Sequence, residues 1–205
     1  MGGMAVDMGE PRLLLLPAPK FVPLVPELQR HLAMAADSIN AENFASLLDG
    51  SMRRLIASSF ELINASEGSI WLHDGNENCL VIAFNTGPNS GQLVGKFKQP
   101  LTAGIVSMVF SSEQSFVEND VYKNSQHDKN LDSMLRHRTQ SMIVTPMYFL
   151  AGCRGVISCV QLQGPEKTER LRGFSEHDLV MVRHAAGVLG KLVDGTVLRA
   201  VVGLG

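Results

Sequence analysis

The chain has 205 residues, a formal net charge of −2, 45% hydrophobic and 19% charged side chains. That is apolar material for one folded domain with appendages, and the absence of a lysine–arginine stripe argues against direct nucleic-acid binding. Three cysteines are an odd count, which excludes a disulfide framework and points to a reducing, cytoplasmic setting.

Residues 1 to about 26 are rich in glycine and proline and are expected to be an extended lead, because proline at this density forbids a helix. The run Leu13–Leu16 is far too short for a signal peptide and is broken by Pro17, Pro19, Pro23 and Pro26. No window reaches the roughly 20 apolar residues of a membrane span. A short helix is expected over Glu27–Asp37. A second helix follows over Ala41–Ala65, capped by Asn40 and stapled by Ile39 and Phe44. In it Leu48, Met52, Ile56, Phe60 and Ile63 recur at three- and four-residue steps.

Ser69–His73 and Cys79–Phe84 read as a hairpin around the turn formers Asp74–Asn78, and Leu93–Phe97 as a short third strand. A helix is expected to open at Thr102, with Ile105, Met108 and Val109 on one side. Ser115–Glu118 is a brief strand and Asn130–His137 a short helix with Leu131, Met134 and Leu135 inward. Arg138–Tyr148 and Cys153–Leu162 form two apolar strands around the turn signal Ala151-Gly152. Gly164–Arg172 is a charged loop. A long helix then runs over Ser175–Ala200, with Ser175 and Asp178 as a capping box. Strands that neighbour in sequence pair through tight turns, so the sheet is expected to be largely antiparallel.

Three signatures in this order carry a family resemblance: Thr102-x-Gly104-Ile105-Val106; Arg138-Thr139-x-Ser141-x-Ile143-x-x-Pro146; and Gly155-Val156-Ile157 followed by Phe174-Ser175-Glu176-His177-Asp178-Leu179. Over roughly Asn40 to Asp194 they resemble a GAF domain, the small-molecule sensory module of bacterial signalling proteins and cyclic-nucleotide phosphodiesterases. The resemblance implies an α+β fold: a central antiparallel sheet of five to six strands, with the terminal helices on one face. Short helices and loops would enclose a ligand cavity on the other. The division expected is a lead and short helix over 1–38, one sensory domain over 39–200 and a tail over 201–205.

The cavity lining is expected to comprise Phe84, Phe97, Gly104, Ile105, Val109, Leu131, Leu135, Thr139, Ser141 and Met142, an apolar cleft with a few polar groups. The helix start near Gly104 offers free N–H groups to an anion, and Arg138 is a candidate to pair one, against an ordinary helix start and a solvated helix end. The cyclic-nucleotide signature of the family is half present: Phe174 and Asp178 match, whereas Gln163-Gly164 and Leu179 depart from it. The sulfoxide-reducing branch of the family places cysteines around the cavity, but here none lies between Leu80 and Gly152, so no nucleophile and no catalytic residue is expected. His73, His127, His137, Asp120, Asp128 and Asp132 match no zinc spacing, so no metal site is expected. The ligand is left open, with a cyclic nucleotide as one candidate. The expected function is a regulatory domain that binds a small molecule and signals through paired terminal helices to an output domain or partner protein, as a homodimer. The alternatives are a dimerisation module without ligand and a free methionine sulfoxide reductase.

Overall fold

The computed structural model describes residues 19–163 and 171–203. The lead up to Ala18, most of the charged loop after Gln163 and the last two residues of the tail lie outside them.

A 3₁₀ turn at Pro19–Leu24 leads into helix α1 (Val25–Ser38), followed by α2 (Phe44–Leu47) and α3 (Gly50–Leu62). The single helix expected over Ala41–Ala65 is thus two. Leu48 is extended, and the Asp49 carboxylate accepts the N–H groups of Ser51 and Met52, both at 2.8 Å, which caps a new helix. The remaining elements are β1 (Glu67–Asp74), β2 (Cys79–Asn85), α4 (Ser90–Leu93), β3 (Lys98–Pro100), α5 (Ile105–Ser112), β4 (Phe116–Glu118), α6 (Asn130–Leu135), β5 (Arg138–Phe149), β6 (Gly152–Gln163) and α7 (Glu176–Val201). The strand expected over Leu93–Phe97 lies further on, at Lys98–Pro100. The helix expected to open at Thr102 starts at Ile105, because Gly104 has φ +86° and cannot continue a helix backwards.

The six strands form one sheet in the order β3-β2-β1-β6-β5-β4, with antiparallel neighbours throughout. Alternation along the strands divides the interior into two layers. On one face Ile70, Leu72, Ile143, Ile157 and Cys159 meet α3 and α7 through Met52, Ile56, Phe60, Val182, Leu189 and Val193. On the other, Trp71, Leu80, Ile82, Val144 and Val156 meet α5 through Ile105, Val106 and Val109. The helix α1 packs on the first layer through Ala36, Leu32 and Ala35. This is an α+β sandwich with the terminal helices on one face and the short middle helices on the other.

Three bulges break the alternation, one of them at Arg154, where the register passes from Met147↔Gly155 to Tyr148↔Cys153. In the β1–β2 ladder the register passes from Ile70↔Phe84 to Trp71↔Ile82, leaving Ala83 as the extra residue. In the β5–β6 ladder it passes from Thr139↔Leu162 to Ser141↔Gln161, leaving Gln140 extra. The bulges at Ala83 and Gln140 each turn the following residue to the face opposite the one that strict alternation predicts.

Polar ties anchor α7. Ser175 and Asp178 form the expected capping box. The Asn119 side chain, just after β4, donates to the carbonyl of Phe174 at 2.8 Å and accepts its N–H at 2.7 Å. At mid-helix, Asp194 accepts the N–H of Leu150 at 2.6 Å. Leu150 and Ala151, the two residues of the β5–β6 turn, both have positive φ, +48° and +63°. Gly190 lets α7 approach β5, since a Cβ there would fall 2.0 Å from the Tyr148 carbonyl oxygen.

Candidate functional site

A cavity opens between the sheet and the short middle helices. β1 contributes Glu67, Ser69 and Trp71, β6 contributes Ser158, Val160 and Leu162, and β5 contributes Thr139 and Met142. Gly104, Ile105 and Val106 at the start of α5, together with Leu131 and Leu135 of α6, close it from above. The space left for the centres of water molecules is about 50 Å³, enough for a few waters at roughly 10–15 Å³ each. Anything larger requires α6 and its flanking loops to yield. That segment is weakly built: α6 has six residues, too few to persist without packing, and Ser133 and Met134 are exposed.

One buried carboxylate holds α6 in place. Asp132 accepts the Thr139 N–H at 2.9 Å and the Thr139 hydroxyl at 2.7 Å, and lies 3.3 Å from His127 Nε2. Burial pushes its carboxyl up, but the hydrogen bonds from His127 and Thr139 outweigh burial and hold it below the usual aspartate value. At the mouth, the Gln99 amide donates to the Ala103 carbonyl and to Asp128, both at 2.9 Å. Burial raises Asp128 too, and the bonds from Asn130 and Gln99 bring it below its ordinary value.

The floor carries two hydroxyls as cross-strand partners, Ser69 and Ser158. Asn85 Nδ2 donates to Ser69 Oγ and Trp71 Nε1 to Ser158 Oγ, both at 2.9 Å. Glu67 differs from the other carboxylates. It is 8% exposed, and among the described residues no hydrogen bond or ion pair reaches it. Burial pushes its carboxyl above the usual glutamate value, with His137 pulling the other way. It sits against Gly87, where a Cβ would fall 1.7 Å from Oε2.

Of the lining residues expected from sequence, the structure brings Gly104, Ile105, Leu131, Leu135, Thr139 and Met142 to this cavity. It does not bring the other four there. The bulge at Ala83 turns Phe84 to the helix face, where the Arg53 guanidinium covers its ring at 5.6 Å. The same bulge puts Asn85 beside Ser69. The bulge at Gln140 likewise turns Ser141 away, leaving it fully buried with its hydroxyl unpartnered among the described residues. Val109, one turn along α5, is wholly buried in the layer behind the cavity. Phe97 meets the Trp71 ring edge-on at 5.9 Å, and it is Trp71 that faces the space. Glu67, Ser69, Trp71, His127, Asp132 and Ser158 are absent from the expected lining. The available signal was polar residues at alternate positions of otherwise apolar strands.

The other candidates are dispersed. Arg138 lies outside the cavity and stacks on Tyr122 at 4.4 Å. An acidic side chain, Asp128, already stands beside Gly104 at the start of α5. His73 packs on Phe110, and among the described residues no group of three or more His, Cys, Asp or Glu is placed to hold a metal ion. Cys79 and Cys159 are buried in the helix-side layer, and Cys153 lies half-buried near the β5–β6 turn. Burial raises all three thiols. Among the described residues no helix is long and apolar enough to cross a membrane.

No curated protein sequence matches the chain significantly. Solved structures do match. The GAF domain of a phosphoenolpyruvate-protein phosphotransferase from Coxiella burnetii superposes with TM-score 0.60 at 16% identity, over 85% of this chain and 95% of that one. A free methionine-R-sulfoxide reductase from Neisseria meningitidis, solved with its substrate, gives 0.56 at 20% identity, over 86% and 89%. A GAF domain/HD domain protein from Geobacter sulfurreducens gives 0.56 at 14%, over 74% and 96%. At such identities the likeness speaks for the fold alone. The family model described as GAF domain matches residues 48–193, from the last residue before the Asp49 cap to the buried face of α7, and the chain belongs to the GAF domain family.

Proposed function

We propose that residues 39–200 form a regulatory domain that binds a small molecule in the cavity and reports occupancy through the terminal helices. The observation that carries this reading is the cavity's construction: fixed polar groups line a hollow beneath a weakly built helix, on the face of the sheet opposite α3 and α7. A ligand shifts such a system only by binding one setting of α6 better than the other. Because the present volume is small, the bound state is one in which α6 has moved outward.

No catalysis belongs to this reading. The solved reductase acts on a sulfoxide, and that chemistry in this chain would need a thiol at the ligand, whereas all three cysteines lie away from the lining. The lining also opposes a cyclic nucleotide. It presents the carboxylates of Glu67, Asp128 and Asp132, and among the described residues no lysine or arginine. The domain acts as a homodimer through α7, whose Val180 and Leu192 are 56% and 40% exposed, in the cytoplasm, coupled to an output domain or partner protein.

Native mass spectrometry of gently purified protein tests the binding reading. A retained adduct that is lost on replacing Leu131 by the bulkier Phe supports it. A cavity that stays empty from every growth condition, with no metabolite raising the melting temperature, refutes it and leaves a pairing module.

A further inference from the structure

We infer that the cavity takes a compact ligand bearing a primary ammonium group, seated on the Glu67 carboxylate. The inference rests on the sensory reading above and deepens it. Three acidic side chains line the hollow, and two have their donors within the protein: Asp132 from Thr139 and His127, Asp128 from Gln99 and Asn130. Glu67 has none among the described residues, although only 8% of it is exposed. A carboxylate with no donor of its own, its oxygens still open to the hollow and, among the described residues, only His137 acting on it through charge, is placed to take a donor from outside. The chain accommodates this side chain closely, because Gly87 offers a bare Cα where any Cβ would strike Oε2.

The surroundings fit an ammonium. Its three N–H donors need acceptors, and Glu67 supplies two oxygens. Among the described residues no lysine or arginine lines the cavity, and His137, which does, acts on Glu67 through charge without a hydrogen bond or ion pair. Ser69 and Ser158, next along the floor, already accept hydrogen bonds from Asn85 and Trp71, so their own hydroxyl hydrogens are available to an oxygen near the ammonium. The apolar remainder of the lining, Trp71, Ile105, Leu131 and Met142, suits a short carbon skeleton.

The test uses calorimetric titration of the full chain with ethanolamine, propylamine and putrescine. Ethylene glycol, propanol and butanediol are the matched neutral compounds, and glycolate is the matched anion. At least one amine is expected to bind saturably while its matched alcohol does not, and Glu67→Gln is expected to weaken that amine by about tenfold or more, the loss of one charge-assisted contact. Glu67→Gln removes a buried charge, so the free variant should melt at or above the parent temperature. This separates loss of binding from loss of fold. Gly87→Ala, which displaces the carboxylate without removing it, should weaken the same amine. Equal binding of amines and alcohols, binding of glycolate alone, saturation by none of the amines, or full amine affinity in Glu67→Gln would each overturn the assignment. An adduct without an amine in native mass spectrometry would do so too, while leaving the sensory reading standing.

Discussion

Replacing Asp132 tests the arrangement that holds α6 over the cavity. In Asp132→Ala the Thr139 N–H and hydroxyl lose a shared carboxylate at 2.9 and 2.7 Å, and Thr139 is 3% exposed. A hydrogen bond to a charged group contributes about 1.5–3 kcal/mol. Two of them, and a weaker one to His127 at 3.3 Å, set a ceiling of about 7.5 kcal/mol on that scale. Water from the adjoining cavity re-satisfies part of the loss, so about 3 kcal/mol is expected. With an m-value of about 2 kcal/mol/M in urea, the midpoint should fall by about 1.5 M with the slope unchanged. Asp132→Asn keeps one acceptor and should lose about 2 kcal/mol. The carboxyl's folded value is depressed, so its contribution is present above the unfolded value of about 3.9 and fades as pH drops through the folded one. The gap between parent and Asp132→Asn should therefore close below about pH 4. Amide exchange should quicken from Leu131 to Thr139 in the variant before it does in the sheet. An Asp132→Ala midpoint within about 0.3 M of the parent would refute the anchoring role.

Further outcomes can be measured. Gly190→Ala must push α7 off the Tyr148 carbonyl and should cost about 2 kcal/mol or more, whereas Gly187→Ala, with nothing within 4 Å of the new Cβ, should stabilise by about 0.5–1 kcal/mol. Ala151→Gly relieves a positive φ of 63° and should raise the urea midpoint, by about 0.5–1 kcal/mol of stability. Glu67→Gln should out-stabilise the parent at neutral pH. The raised Glu67 value means its favourable contribution is complete only below about pH 4.3 and is lost as pH climbs through the folded value, so the variant's advantage should vanish in acid. Native alkylation should label Cys153 alone and slowly, and urea should release Cys79 and Cys159, which are buried. Prompt labelling of Cys159 would contradict its placement in the core.

The elements most legible in the sequence are those governed by local chemistry. Ser175 and Asp178 announce the start of α7 by their spacing, and Cys79–Phe84 announces a strand by its composition. The break at Asp49 was hidden because Leu48 and Met52 keep the helical period across it, and only the cap reveals the interruption. The β5–β6 turn is displaced by one residue from the glycine that marks it. Leu150 and Ala151 take the positive φ values, held by Asp194 from a distant helix, and tertiary contact there overrides turn preference. The cavity was legible to the extent that strict alternation holds. Neither Ala83 nor Gln140 has chemistry that marks a bulge, so Phe84 and Ser141 fell on the wrong side. The polar wall of Glu67, Asp132 and His127 forms only when β1 meets the distant stretch that carries His127 and Asp132, a meeting that neither stretch displays alone.

Under the proposed sensory function, the grip of Asn119 on Phe174 would turn a local adjustment into a mechanical advantage. The residues after Asn119 run straight into the roof of the hollow, while Phe174 is the root of a rod of 26 residues. At about 1.5 Å per residue that rod is about 39 Å long, so each degree of tilt at its base sweeps the far tip through about 0.7 Å.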